Sequence, residues 1–81
     1  MNYDTMSYQA PRSNQPLASE KLAIDRKVFF LDLKENDRGR YVKITEDVGG
    51  RRDTIMVPMA AVKEFHELLG RLLEFEATLP Q

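Results

Sequence analysis

Between Leu22 and Val57, apolar and polar residues alternate in four runs. Leu22 and Ile24 alternate with Lys21, Ala23 and Asp25, and Phe29, Leu31 and Leu33 alternate with Val28, Phe30, Asp32 and Lys34. Val42 and Ile44 then alternate with Tyr41 and Lys43, and Ile55 and Val57 with Thr54 and Met56. Successive side chains of a strand point to opposite faces, so each run predicts a strand with one face turned to a core. Asn36-Asp37-Arg38-Gly39 predicts a hairpin, because Asn and Asp nucleate turns and Gly accepts a positive φ. The next connection, Asp47 to Asp53, contains Gly49 and Gly50 and is read as longer and mobile.

After Val57 the period becomes that of a helix, with Pro58 suited to a first helical position, where no N–H is needed. Val62, Phe65, Leu69, Leu72 and Leu73 form one apolar stripe, and Ala61, Phe65, Leu68, Leu72, Phe75 and Leu79 form a second beside it. Pro80 ends the run. Lys63, Glu67, Gly70, Arg71 and Glu74 make a narrower polar face, with Glu67 and Arg71 at i,i+4 spacing. Two adjoining stripes exceed what one small sheet can cover, and each buried Leu or Phe is worth roughly 1.5 to 3 kcal/mol. The second stripe therefore predicts a meeting of two copies through Phe65, Leu68, Leu69, Leu72, Phe75 and Leu79. Gly70, costing about 1 kcal/mol relative to Ala in mid-helix, fits a close approach of the partner backbone.

Chain length sharpens that expectation. A chain of 81 residues allows at most one domain with a marginal core, and with no cysteine it has neither disulfides nor thiolate zinc sites to reinforce it. Residues 1–16, rich in Asn, Ser, Gln and Pro, have no apolar periodicity and are read as a disordered tail; residues 17–81 are read as the folded unit. Tyr3, Tyr8 and Arg12 are the tail's candidate ligand contacts. Neither a leader-like start nor an apolar run near the roughly 20 residues of a membrane span is present, so a soluble, cytoplasmic protein without a membrane partner is expected.

The net charge of −1 argues against an electrostatically driven nucleic-acid binder, but its distribution does not. Residues 26–52 hold eight Lys or Arg against five acids, whereas residues 53–81 hold two against five. A basic side to the molecule follows if the strands and the helix present different faces. Catalysis finds little to use. His66 is the only histidine, the acid pairs Glu46 with Asp47 and Glu64 with Glu67 are commonplace on solvated surfaces, and Gly49-Gly50-Arg51-Arg52 lacks the spacing of a phosphate loop. No enzyme, metal, cofactor or small-molecule substrate is expected. The unburied sheet face is richer: alternation places Phe30 and Tyr41 there beside Lys34 and Lys43, and the turn adds Asn36, Arg38 and Arg40. Rings stack on unpaired bases, cations hold phosphates and an Asn amide reads a base edge.

The stretch from Lys27 to Ile44, KVFFLDLKENDRGRYVKI, resembles the core of a PUR repeat, the unit of the Pur-alpha-like purine-rich single-stranded DNA and RNA binding proteins. The Lys34, Asn36, Arg38, Gly39 and Arg40 segment is the most specific part. The likeness continues through Gly49-Gly50, the Ile55, Val57, Met59 pattern and the Glu64, Phe65, Leu69, Gly70 segment, and so covers residues 17–79. It implies an α+β fold in which a four-stranded antiparallel sheet precedes one C-terminal helix (ββββα), two such repeats intertwining through their helices. With one repeat here, the implied protein is a homodimer that binds G-rich single-stranded DNA or RNA as a transcriptional or RNA regulator, nucleoid-associated if bacterial. Carried over by position, Lys34, Asn36 and Arg38 meet phosphate and bases, Tyr41 stacks or wedges where the family has Phe, and Lys27 helps from the preceding turn. Glu35 and Asp37 stand where relatives usually have small, basic or amide residues, and Asp25 and Arg26 also depart from the pattern. The competing expectation is a dimeric protein-interaction module that binds no nucleic acid.

Overall fold

The computed structural model describes residues 15–81; the tail assigned to residues 1–16, with Tyr3, Tyr8 and Arg12, lies outside them except for Gln15 and Pro16. Four strands and one helix follow in order: β1 (Ala18–Ile24), β2 (Lys27–Asn36), β3 (Gly39–Val48), β4 (Arg51–Pro58) and α1 (Met59–Glu76). The strands form a single antiparallel sheet in the order β1-β2-β3-β4. This is the ββββα, α+β architecture read from the sequence.

Each pair of strands is joined by two residues. Asp25, at φ 54°, and Arg26 connect β1 to β2, and Asp37 and Arg38 connect β2 to β3. At the second turn the Asn36 side-chain oxygen accepts a 2.8 Å hydrogen bond from the Arg38 N–H, and Gly39 takes φ 130°. The third connection corrects the expectation of a long mobile loop: β3 runs to Val48 and β4 starts at Arg51, leaving Gly49 and Gly50 alone at φ 61° and 90°. Two consecutive positive φ values match the right-handed twist of the flanking strands, which allows so short a link. Asp47 braces it, its Oδ1 accepting from the Gly50 N–H at 3.0 Å and its Oδ2 from Arg52 Nε at 2.8 Å. β1 also begins four residues before Leu22. Its early part, Ala18-Ser19-Glu20-Lys21, carries no apolar alternation because this edge strand is exposed throughout.

Cross-strand partners share a face, so the register sorts the sheet. On one face stand Leu22, Ile24, Phe29, Leu31, Leu33, Val42, Ile44, Ile55 and Val57, and α1 packs on this side across β3 and β4. Val62, Phe65, His66 and Leu69 meet Leu31, Val42, Ile44 and Val57 around an apolar cavity of about 150 Å³. No helix residue beyond Leu69 lines this cavity. Pro58 is the N-cap and last strand residue, one position earlier than expected, and the helix ends at Glu76, short of Leu79. Pro80 disfavours helical geometry at Leu79, and a final turn forms instead, in which Thr78 Oγ1 donates to the Phe75 carbonyl at 2.7 Å.

The apolar surface is only partly covered. Among the described residues Val57 is the one buried hydrophobic side chain. Leu72 is 67% exposed, Leu73 71% and Phe75 63% at the free end of the helix, while Leu22 and Ile24 lie open on the half of the sheet that the helix does not reach. The radius of gyration is 16.3 Å, against about 11 Å for a compact chain of this size. No helix among the described residues is long and apolar enough to cross a membrane.

Candidate nucleic-acid interface

The face away from α1 carries Ser19, Lys21 and Ala23 on β1, Val28, Phe30, Asp32, Lys34 and Asn36 on β2, Tyr41, Lys43, Thr45 and Asp47 on β3, and Arg52, Thr54 and Met56 on β4. Strand periodicity alone produces this selection, because successive side chains alternate between the two faces and cross-strand partners share one. Four cations, Lys21, Lys34, Lys43 and Arg52, face two carboxylates, Asp32 and Asp47, on this side. Opposite, beneath and beside the helix, Glu20, Glu35, Glu46 and Asp53 outnumber Lys27, Arg40 and Arg51. The sheet therefore separates charge by face rather than by segment.

Of the residues singled out in the sequence, Phe30, Lys34, Tyr41 and Lys43 come together on the open face. Lys34 and Tyr41 are direct cross-strand partners. At the end of the β2–β3 hairpin, Asn36, Arg38, Gly39, Arg40 and Tyr41 join Met56 and Pro58 around a notch of about 190 Å³. With its oxygen engaged by the Arg38 N–H, the Asn36 amide presents its amino group as the remaining polar atom. Two of the candidates belong to the other face. Lys27 lies 3.1 Å from Glu46, and Arg40 Nε lies 3.2 Å from Glu35 Oε2, so alternation turns both stems toward the helix side and gives each a carboxylate neighbour. Arg40 still reaches the rim of the notch. Glu46 and Asp47, adjacent in sequence, likewise point to opposite faces and do not converge on a cation.

Three residues of this face escaped the sequence reading. Met56 stands beside Lys43, exposed on the open side; its place on the strand was legible, but a methionine was not read as a contact surface. Lys21 and Arg52 flank the Phe30 ring, at 5.8 and 5.3 Å from its centroid. Only the register reveals that pairing, since Phe30 and Arg52 are 22 positions apart in the chain. The centre of the face is quiet: Thr45 is buried, and Thr54 Oγ1 approaches its hydroxyl at 3.4 Å. Asp47 is held below the ordinary carboxylate range, first by the Gly50 N–H and then by the Arg52 guanidinium.

A four-stranded antiparallel meander, backed by one helix on its apolar side and carrying rings and cations on the other, defines an α+β sheet-platform protein of the ββββα class. The family model described as "PurA ssDNA and RNA-binding protein" matches residues 14–81, and the chain belongs to this PurA family. It is 38% identical over 73 residues to the zebrafish (Danio rerio) transcriptional regulator protein Pur-beta, covering 89% of this chain and 25% of the relative. It is 41% identical over 69 residues to human (Homo sapiens) Pur-beta, covering 84% and 22%. With the Arabidopsis thaliana transcription factor Pur-alpha 1 it shares 39% over 56 residues, covering 69% and 19%. The chain thus spans a quarter or less of the length of these relatives. The family and its named members are nucleic-acid-binding regulators and not enzymes.

Proposed function

We propose that this protein binds single-stranded DNA or RNA on the open face of its sheet, with a preference for G-rich sequence, and does so as a homodimer that regulates transcription or RNA. The observation that carries this reading is a pleated surface of rings and cations that the chain's own helix leaves uncovered. Tyr41 supplies a ring on which an unpaired base stacks, for roughly 1 to 3 kcal/mol. Lys34, Lys43 and Arg38 meet phosphates. The Asn36 amino group is a donor, which suits the O6 and N7 acceptors of guanine and supports the G-rich preference.

The dimer is supported by two uncovered surfaces that complement each other. One chain leaves bare the apolar half of its sheet around Leu22 and Ile24, and also the far half of its helix around Leu72 and Phe75. The helix end of one copy laid on the open sheet half of another would cover both. Leaving them in water forfeits several kcal/mol in a domain with little to spare.

Fluorescence anisotropy with a short oligonucleotide of GGN repeats tests the reading. Micromolar or tighter binding is expected, weakening with salt at a log–log slope of about −0.7 per phosphate neutralised. Replacing Lys34, Arg38 and Tyr41 together by Ala should cost more than about tenfold in affinity, since loss of one stacked base alone reaches that size. An unchanged affinity would contradict the assignment. A dimer that binds no oligonucleotide at low salt would instead favour the protein-interaction module.

A further inference from the structure

The surroundings of Phe30 do not suit a ring offered to a base. Lys21, its direct cross-strand partner on β1, and Arg52, reaching from β4 across the buried Thr45, both stand over it. Cations that close interact with the ring's negative face and occupy the surface a base would need. Arg52 is fixed twice over, by the ring and by Asp47, and Asp47 is itself fixed by the Gly50 N–H. Even so, the Arg52 side chain remains 61% exposed. A guanidinium anchored through Nε keeps its terminal N–H donors, a fork that matches the oxygens of a phosphodiester.

This cluster lies four residues along β2 from Lys34, about 13 Å at strand rise. It sits outside the Lys34 to Arg40 segment, the most specific part of the family likeness. We propose that Lys21, Phe30 and Arg52 form a second, preformed phosphate clamp, so that one nucleic-acid strand crosses the whole open face from Tyr41 to Arg52. Phe30 is then a positioning residue that holds the two cations, and stacking falls to Tyr41. Holding a long side chain in its bound geometry beforehand lowers the ordering cost of binding. The clamp reads no sequence, because phosphates are alike along the strand. This inference rests on the single-strand binding proposed above and extends it to a particular path and length of ligand.

The test uses the full chain and two GGN-repeat oligonucleotides, one of about four nucleotides and one of about twelve. Lys21→Gln combined with Arg52→Gln should weaken the longer ligand by at least tenfold and make its salt slope shallower by about 1.4, the value for two phosphates. Binding of the short ligand to the hairpin end should stay within about twofold. Phe30→Leu, which keeps an apolar side chain, should weaken the longer ligand several-fold while leaving the preference for G over C repeats unchanged, because it loosens the cations without touching a base. Circular dichroism melts check that the variants fold. A double variant that binds the longer ligand with wild-type affinity and slope overturns the clamp while single-strand binding stands. A Phe30→Leu protein that loses its G preference overturns the positioning role. Failure of the unaltered protein to bind either ligand removes the parent reading, and the clamp with it.

Discussion

At the residue scale, the β3–β4 turn shows how much one carboxylate can organise. Asp47 accepts from the turn's own N–H and from Arg52, the second residue of the next strand, and both interactions stabilise its charged form. Its folded-state pKa is lowered, so its contribution to stability is present above the unfolded carboxylate value and is lost as the pH falls through the lowered one. Wild-type protein should therefore lose thermal stability below about pH 4 more steeply than Asp47→Asn. Melts across that range check this, and parallel profiles would contradict it. Gly50, at φ 90°, is a second lever: Gly50→Ala should cost about 1 to 2 kcal/mol in urea unfolding. Gly49→Asn at φ 61° should cost much less, because Asn tolerates left-handed geometry.

Among the elements, the central strands were the most legible in the sequence. Phe29, Leu31 and Leu33, with Val42 and Ile44, fixed both period and face, and so Phe30, Lys34, Tyr41 and Lys43 fell on the open side as alternation required. Other features were hidden for physical reasons. β1 is an exposed edge strand, so nothing forces its first four residues into alternation. Gly49-Gly50 was visible as a turn signal, but its shortness depends on the pairing of Val48 with Arg51. Arg40 was grouped with the candidate cations as part of the turn and Lys27 through the family resemblance, whereas parity along the strand places both on the other face. The Lys21, Phe30 and Arg52 cluster joins three strands and has no local signature. The helix makes its own prediction here. Leu72 is exposed in the single chain, so in a monomer Leu72→Glu would be nearly harmless. If two copies share that surface, the variant should lose its cooperative thermal transition at micromolar concentration. A wild-type melt would count against the shared surface.

The whole molecule joins these levels through sidedness. One face of the sheet is apolar and half covered, the other polar and open, and the two are independent: in the proposed function a second copy covers the first and nucleic acid occupies the second. Light scattering should accordingly give twice the chain mass at micromolar concentration with no nucleic acid present, and a folded single-chain species would contradict the dimer. The same sidedness explains how a chain of net charge −1 can present a basic surface.

Side-chain NMR during titration with a G-rich oligonucleotide addresses the central claim most directly, because neighbouring residues report opposite sides. The Tyr41 ring and the Met56 methyl, both on the open side, should shift strongly at stoichiometric ligand, while the methyls of Ile55 and Val57 hold their positions. Large shifts at Ile55 and Val57 with Tyr41 and Met56 unmoved would mean that nucleic acid, if it binds, uses the wrong face.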